Sequence, residues 1–135
     1  MKTIKSFILT AFVILICFSG NLIAGNSVNK EGEKTIVYYF HNTRRCPTCL
    51  AIENVTINVL QDEYSEALEN GNIVFETYNA EEDANKELVK KLNVTGSALI
   101  VVKGEEKLDL TSKGFMYALK EPEKLKKALR EALNQ

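Results

Sequence analysis

Two cysteines, Cys46 and Cys49, stand where an apolar run gives way to a helical stripe, and that junction constrains the fold more than any other feature of the chain. Upstream, Thr35-Ile36-Val37-Tyr38-Tyr39-Phe40 is unbroken β-branched and aromatic sequence, the pattern of a strand buried on both faces. A loop from His41 to Arg45 follows. Beyond Pro47, the residues Cys49, Ile52, Val55, Val59, Leu60, Tyr64, Ala67 and Leu68 recur at helical spacing. That stripe predicts one helix from Pro47 to about Glu69, ended by Asn70-Gly71. A strand feeding a helix in this way opens a strand–helix–strand unit with a right-handed crossover.

The rest of the chain supplies the partners. Ile73–Tyr78 reads as the second strand. Asn79 is placed to cap a following helix, with Glu82 as its capping-box partner. Glu81, Glu82 and Asp83 would open that helix and Lys90 and Lys91 close it, both matched to the helix dipole. Ala84, Leu88 and Leu92 mark its buried side. Ala98–Lys103 is a further strand, joined by a Gly104-Glu105 turn to a short strand through Leu108 and Leu110, a hairpin. Pro122 opens a last helix where its missing N–H costs nothing, with Leu125, Ala128, Leu129, Ala132 and Leu133 on one face. The expected class is α/β: a central mixed sheet of about four strands flanked by helices.

Composition matters mainly at the N-terminus. Lys2 and Lys5 precede an almost wholly apolar stretch from Ser6 to Gly20, and small residues Ala24 and Gly25 follow. We read residues 1–25 as a secretory signal peptide, 26–33 as a flexible lead-in and 34–135 as one domain. Cleavage leaves the domain extracytoplasmic, periplasmic or secreted; an uncleaved run would anchor it in the membrane. With Lys2 and Lys5 removed from the 17 basic residues, the remainder sets 15 basic against 18 acidic residues, with no basic block. Nucleic acid is therefore not an expected partner. Cys17 falls within the leader, so only Cys46 and Cys49 remain. Two cysteines build neither a multi-disulfide framework nor a four-cysteine zinc site within one chain. They act as a pair.

At the N-terminus of a helix, unpaired backbone N–H groups and the dipole favour a thiolate on Cys46. Cys49, one turn on and at the head of the buried stripe, is expected to be shielded. Exposed thiolate attacks and sheltered thiol resolves the mixed disulfide, which is the division of labour that exchange chemistry needs. Arg44 and Arg45 adjoin Cys46 and would further stabilise its thiolate, making the disulfide more oxidising. His41, the only histidine, would relay the proton that Cys49 loses. The alternative is a binding module, in which Cys46, Cys49 and His41 hold a soft metal or metalloid, copper(I) or zinc by ligand softness. No cofactor beyond a Cys46–Cys49 redox disulfide is expected.

Strand, Cys46-Pro47-Thr48-Cys49, long helix, strand, capped helix, then Val94-Thr95-Gly96-Ser97-Ala98 leading into a hairpin and a last helix: over about residues 34–135 this order resembles the thioredoxin superfamily. More narrowly, His41-Asn42-Thr43-Arg44-Arg45 with the cysteine motif is similar to a group of exported thioredoxin-like proteins, the ArsF-like, nitroreductase-subunit-like family. The resemblance implies a disulfide-exchange site with Cys46 as nucleophile and Cys49 as resolving thiol, supported by Pro47 and Thr48. It implies an extracytoplasmic thiol–disulfide oxidoreductase or thiol-based electron-transfer protein. The partner would be a thiol or disulfide protein, or a membrane or reductase electron donor. The chain departs from that family in three places. Arg45 stands where thioredoxins carry tryptophan, and Ala98 stands where they carry a cis-proline. Tyr38 or Tyr39 lies near the place of their buried acid. In the family the cis-proline shapes the substrate groove and keeps metal from the thiols, so its loss weighs against general protein disulfide exchange and toward metal capture.

Overall fold

The structure is a computed structural model, and it describes residues 33–135. The expected signal peptide and nearly all of the lead-in lie outside the described residues. Among the described residues no helix is long and apolar enough to cross a membrane.

Four strands form one sheet in the order β2-β1-β3-β4. β1 (Thr35–His41) pairs parallel with β2 (Ile73–Asn79) and antiparallel with β3 (Ala98–Lys103). β4 (Glu106–Asp109) closes the hairpin with β3 at the sheet edge. The β-branched and aromatic run thus takes a central place, where both faces are covered. Val37 and Tyr39 point into the larger core, and Phe40 into a second core on the opposite face with Ile100, Leu92 and Val94. The class is α/β, a mixed four-stranded sheet flanked by helices, as the patterning predicted.

The stripe after Pro47 forms two helices rather than one: α1 (Pro47–Glu63) and α2 (Ser65–Glu69). The break is Tyr64, whose backbone leaves the helical region at φ −129°, ψ 23°. Its hydroxyl reaches Asn134 Oδ1 at 3.3 Å, near the end of the chain, while Tyr64, Ala67 and Leu68 still pack on the main core. Gly71 then turns the chain with φ +78°, a conformation that favours glycine.

The helix expected directly after Asn79 starts later. Asn79 belongs to β2, and its side chain bonds both to the turn that follows and to the loop before α1. Its Oδ1 accepts from the Glu81 N–H at 3.1 Å and its Nδ2 donates to Thr43 Oγ1 at 3.0 Å. The Ala80 N–H is bound to the His41 carbonyl at 2.8 Å. The chain therefore makes a turn and a 3₁₀ segment (Asp83–Asn85) before α3 (Lys86–Lys91) begins. Ala84 is exposed, and Leu88, Val89 and Leu92 make the contact with the second core instead. Lys90 and Lys91 do fall in the last turn, as the dipole argument required.

β4 ends at Asp109; Leu110 still donates its N–H across to the Leu99 carbonyl at 2.8 Å and then leads into α4 (Thr111–Tyr117). No apolar stripe marks this helix in the sequence, because its buried residue is a glycine. A Cβ on Gly114 would lie 3.1 Å from Ile52 Cδ1 and 3.2 Å from Cγ1, tighter than packed carbons sit. Ile52 is itself enclosed and cannot yield. Gly114→Val is therefore expected to lower stability by about 1–3 kcal/mol through overpacking, despite valine's better helix propensity. A fall in the urea midpoint with an unchanged m-value checks this. The last helix, α5 (Pro122–Leu133), buries all five of its expected residues, Leu125, Ala128, Leu129, Ala132 and Leu133.

Candidate active site

The site lies at the end of the sheet where β1 finishes and β3 begins. Cys46 is the N-cap of α1, with extended backbone (φ −85°, ψ 163°) and Pro47 opening the first turn. Its Sγ accepts a hydrogen bond from the Cys49 N–H at 3.2 Å, so the sulfur does the work that a serine or aspartate oxygen does at other helix starts. Both cysteines are free thiols, Cys46 exposed and Cys49 buried. The Cys46 thiol is held below the ordinary thiol range. The cause is first a hydrogen bond from the Cys49 side chain and then the backbone N–H groups at the helix tip, Thr48 among them. Slight desolvation opposes this without reversing it.

Two groups hold Cys49 from behind, and an ion pair lies one turn along the helix. Tyr39 donates its hydroxyl to the Cys49 carbonyl at 2.7 Å, a buried bond between β1 and α1. Ser97 Oγ lies 3.8 Å from Cys49 Sγ, within sulfur hydrogen-bond range. Glu53, one turn further along α1, is ion-paired with Arg45. Burial raises the Tyr39 phenol well above its ordinary value, and negative charge at Cys49, Glu53 and Cys46 adds to this, with Arg45 opposing. The phenol stays protonated and remains a donor.

Each residue expected at the site can now be placed. Cys46 and Cys49 come together on one helix end with Pro47 and Thr48 between them. Ala98 is buried opposite Phe40 at the start of β3, directly after Ser97. Arg44 is exposed. Arg45, the residue before Cys46, is half-buried. Its guanidinium is taken up by Glu53, and backbone and thiol hydrogen bonds account for the lowered Cys46 thiol. His41 ends β1, close to the loop that leads to the cysteines. Its ring shares a 3.0 Å contact with the Asn42 carbonyl and stacks obliquely toward Tyr39. Among the described residues no three His, Cys, Asp or Glu side chains converge to hold a metal ion, so the trio of Cys46, Cys49 and His41 is not assembled.

Ser97, Glu53 and Tyr39 are the site residues that patterning alone missed. Glu53 carried a usable signal, since residues four apart on a helix are neighbours and Cys49 is four before it. Ser97 carried only its place before Ala98. Tyr39 read as core, which it also is. The loop from Asn42 to Arg45 is pinned from the far side, where Thr43 donates its N–H to Glu81 Oε2 at 2.9 Å. A hollow of about 650 Å³ lined by Glu33, Lys103, Glu105, Glu106 and Gln135 lies at the opposite end of the sheet, away from the cysteine pair.

No protein-family model matches the chain, and no curated protein sequence matches it. Solved structures do. The chain is similar to thioredoxin O2 from Arabidopsis thaliana in its oxidized state, at 20% identity and a TM-score of 0.52, over 75% of this chain and 76% of that one. It is also similar to a chain of a complex of ferredoxin:thioredoxin reductase and thioredoxin f2, at 21% identity and a TM-score of 0.44, over 76% and 80% of the two chains. A third likeness is to the thioredoxin of Fasciola hepatica, at 23% identity and a TM-score of 0.37, over 61% and 70%. Strand order, the helix that follows β1 and the first of these likenesses agree: the chain has the thioredoxin-like fold.

Proposed function

We propose that the protein is a thiol–disulfide oxidoreductase or thiol-based electron-transfer protein that works through Cys46 and Cys49. One observation carries this reading: a solvent-facing Cys46 sulfur bound to the N–H groups of a helix tip, with Cys49 buried one turn behind it. In the reducing direction the Cys46 thiolate attacks one sulfur of a partner disulfide, that S–S bond breaks, and the departing partner thiolate takes a proton from solvent. Cys49 then loses its proton and attacks Cys46 Sγ. The mixed disulfide breaks, the second partner thiol leaves, and the protein ends as the Cys46–Cys49 disulfide, two electrons poorer. The oxidising direction is the reverse. Tyr39 and Ser97 hold Cys49 in line for the second step.

The partner is a thiol or disulfide protein, or a membrane or reductase electron donor. The leader-like N-terminus supports an extracytoplasmic setting, and the segment from His41 to Cys49 supports a place beside the ArsF-like group. The reading is tested by alkylating the reduced protein with iodoacetamide across pH. The rate at Cys46 should rise with a midpoint below the free-thiol value of about 8.5. Equilibration with glutathione should give a reversible two-electron curve. An ordinary midpoint together with failure to reach a reversible disulfide would sink the proposal.

A further inference from the structure

The Arg45–Glu53 ion pair lies within the site yet takes no part in the exchange steps above. Arg45 directly precedes Cys46, and a guanidinium left facing that sulfur would favour its thiolate and weaken the disulfide. The side chain runs instead along α1 to Glu53, and the two partners are only 29% and 16% exposed, so solvent screens the pair poorly. Glu53 follows Cys49 by one helical turn on the same face. Helical side chains lean toward the N-terminus, and the Glu53 carboxylate meets Arg45, the residue just before Cys46. The Tyr39 hydroxyl, bonded to the Cys49 carbonyl, lies in the field of Glu53, Arg45 and both thiols together.

We propose that Glu53 sets the redox poise of the Cys46–Cys49 couple by holding Arg45 in a neutral pair, which keeps the couple more reducing than a helix tip with an unpaired arginine would make it. This deepens the thiol-exchange reading and rests on it. Glu53 is a positioning residue, because it acts on the sulfurs through Arg45. The charged and titratable groups that act together at the Tyr39 phenol beside Cys49 are Glu53, Arg45 and the two thiols. Arg44 is exposed, and the His41 ring is engaged with the Asn42 carbonyl.

The test compares wild type, Glu53→Gln, Arg45→Gln and the double variant by equilibration with reduced and oxidised glutathione and by alkylation across pH. Glu53→Gln should shift the equilibrium threefold to tenfold toward the dithiol, about 15–30 mV more oxidising. It should also lower the alkylation midpoint of Cys46. Arg45→Gln should move both readings the other way, and the double variant should return close to wild type. A Glu53→Gln protein that loses thermal stability but keeps wild-type poise would make the pair merely structural and overturn the inference. So would a shift toward the disulfide. A wild-type protein that never reaches a reversible equilibrium with glutathione defeats the exchange reading instead, so the two failures are told apart.

Discussion

Replacing Cys46 with serine is expected to abolish disulfide exchange, with the rate toward a small aromatic disulfide falling by at least about a thousandfold, whereas Cys49→Ser should accumulate a covalent adduct with the same reagent. The asymmetry follows from the geometry. Only Cys46 is exposed and bonded to the helix-tip N–H groups, so only it presents a thiolate to an incoming disulfide. A serine hydroxyl in that place still caps the helix, because its oxygen accepts from the same N–H, but it does not ionise near neutral pH. Fold and reactivity are thereby separated: Cys46→Ser should melt near wild type while inert. Cys49→Ser keeps the attacking thiolate and lacks the resolving one, so the mixed disulfide has no internal exit. Mass spectrometry of each variant after incubation reads the result directly. A Cys46→Ser protein that still turns over, or an adduct on Cys49 in the wild type, would reverse the assigned order of attack.

What could be seen in the sequence tracks the length scale of each interaction. Strands β1, β2 and β3 and the apolar face of α5 were legible because burial imposes a period on consecutive residues, and period survives without tertiary knowledge. The position of the cysteine pair at a strand–helix junction was legible for the same reason. The misplaced start of α3 has another cause. Asn79 carries the local signature of a helix cap, and its Oδ1 does accept from the Glu81 N–H, while its Nδ2 donates to Glu82 and to Thr43, which is 36 residues away. That local bond closes a turn rather than a helix, because the Ala80 N–H is tied back to the His41 carbonyl, and a 3₁₀ segment follows before α3 begins. α4 was silent because its tightest contact is made by Gly114, a residue that helix propensity argues against. At the site, adjacency misled. Arg45 is next to Cys46 along the chain, yet a long side chain reaches eight residues onward to Glu53 and is neutralised there. Sequence neighbours of a thiol predict its field only when no opposite charge competes for them.

Leu129→Ala should be the most damaging substitution away from the thiols, costing about 2–5 kcal/mol of unfolding free energy. That is a large part of the 5–15 kcal/mol that typically holds a small domain together. The magnitude rests on where α5 sits. Leu125 and Leu129 are fully enclosed, in the same core as Val37, Tyr39, Ile52, Val59 and Val101. Truncating Leu129 leaves a hole in the core that α5 shares with α1 and α4, and a space bounded by packed helices and backed by the enclosed core closes only in part. Few other forces fasten this helix. Its N-cap Glu121 makes no side-chain cap bond, and its Lys–Glu pairs at Lys124–Glu121, Lys126–Glu123 and Lys127–Glu131 are local and largely exposed. The bond that does tie α5 to α1 is Arg130 to Glu63, two contacts of 2.6 Å at the surface. It holds the Glu63 carboxyl below its ordinary range, chiefly by hydrogen bonding. A lowered carboxyl contributes above its unfolded-state value, and that contribution fades as pH falls through the folded-state value. Arg130→Gln should therefore remove part of the acid-side slope of stability and change the neutral-pH midpoint far less than Leu129→Ala. Urea melts of both variants at neutral and acidic pH decide the matter. If Arg130→Gln proved the more harmful at neutral pH, surface pairing and not burial would be what fixes the last helix against the sheet.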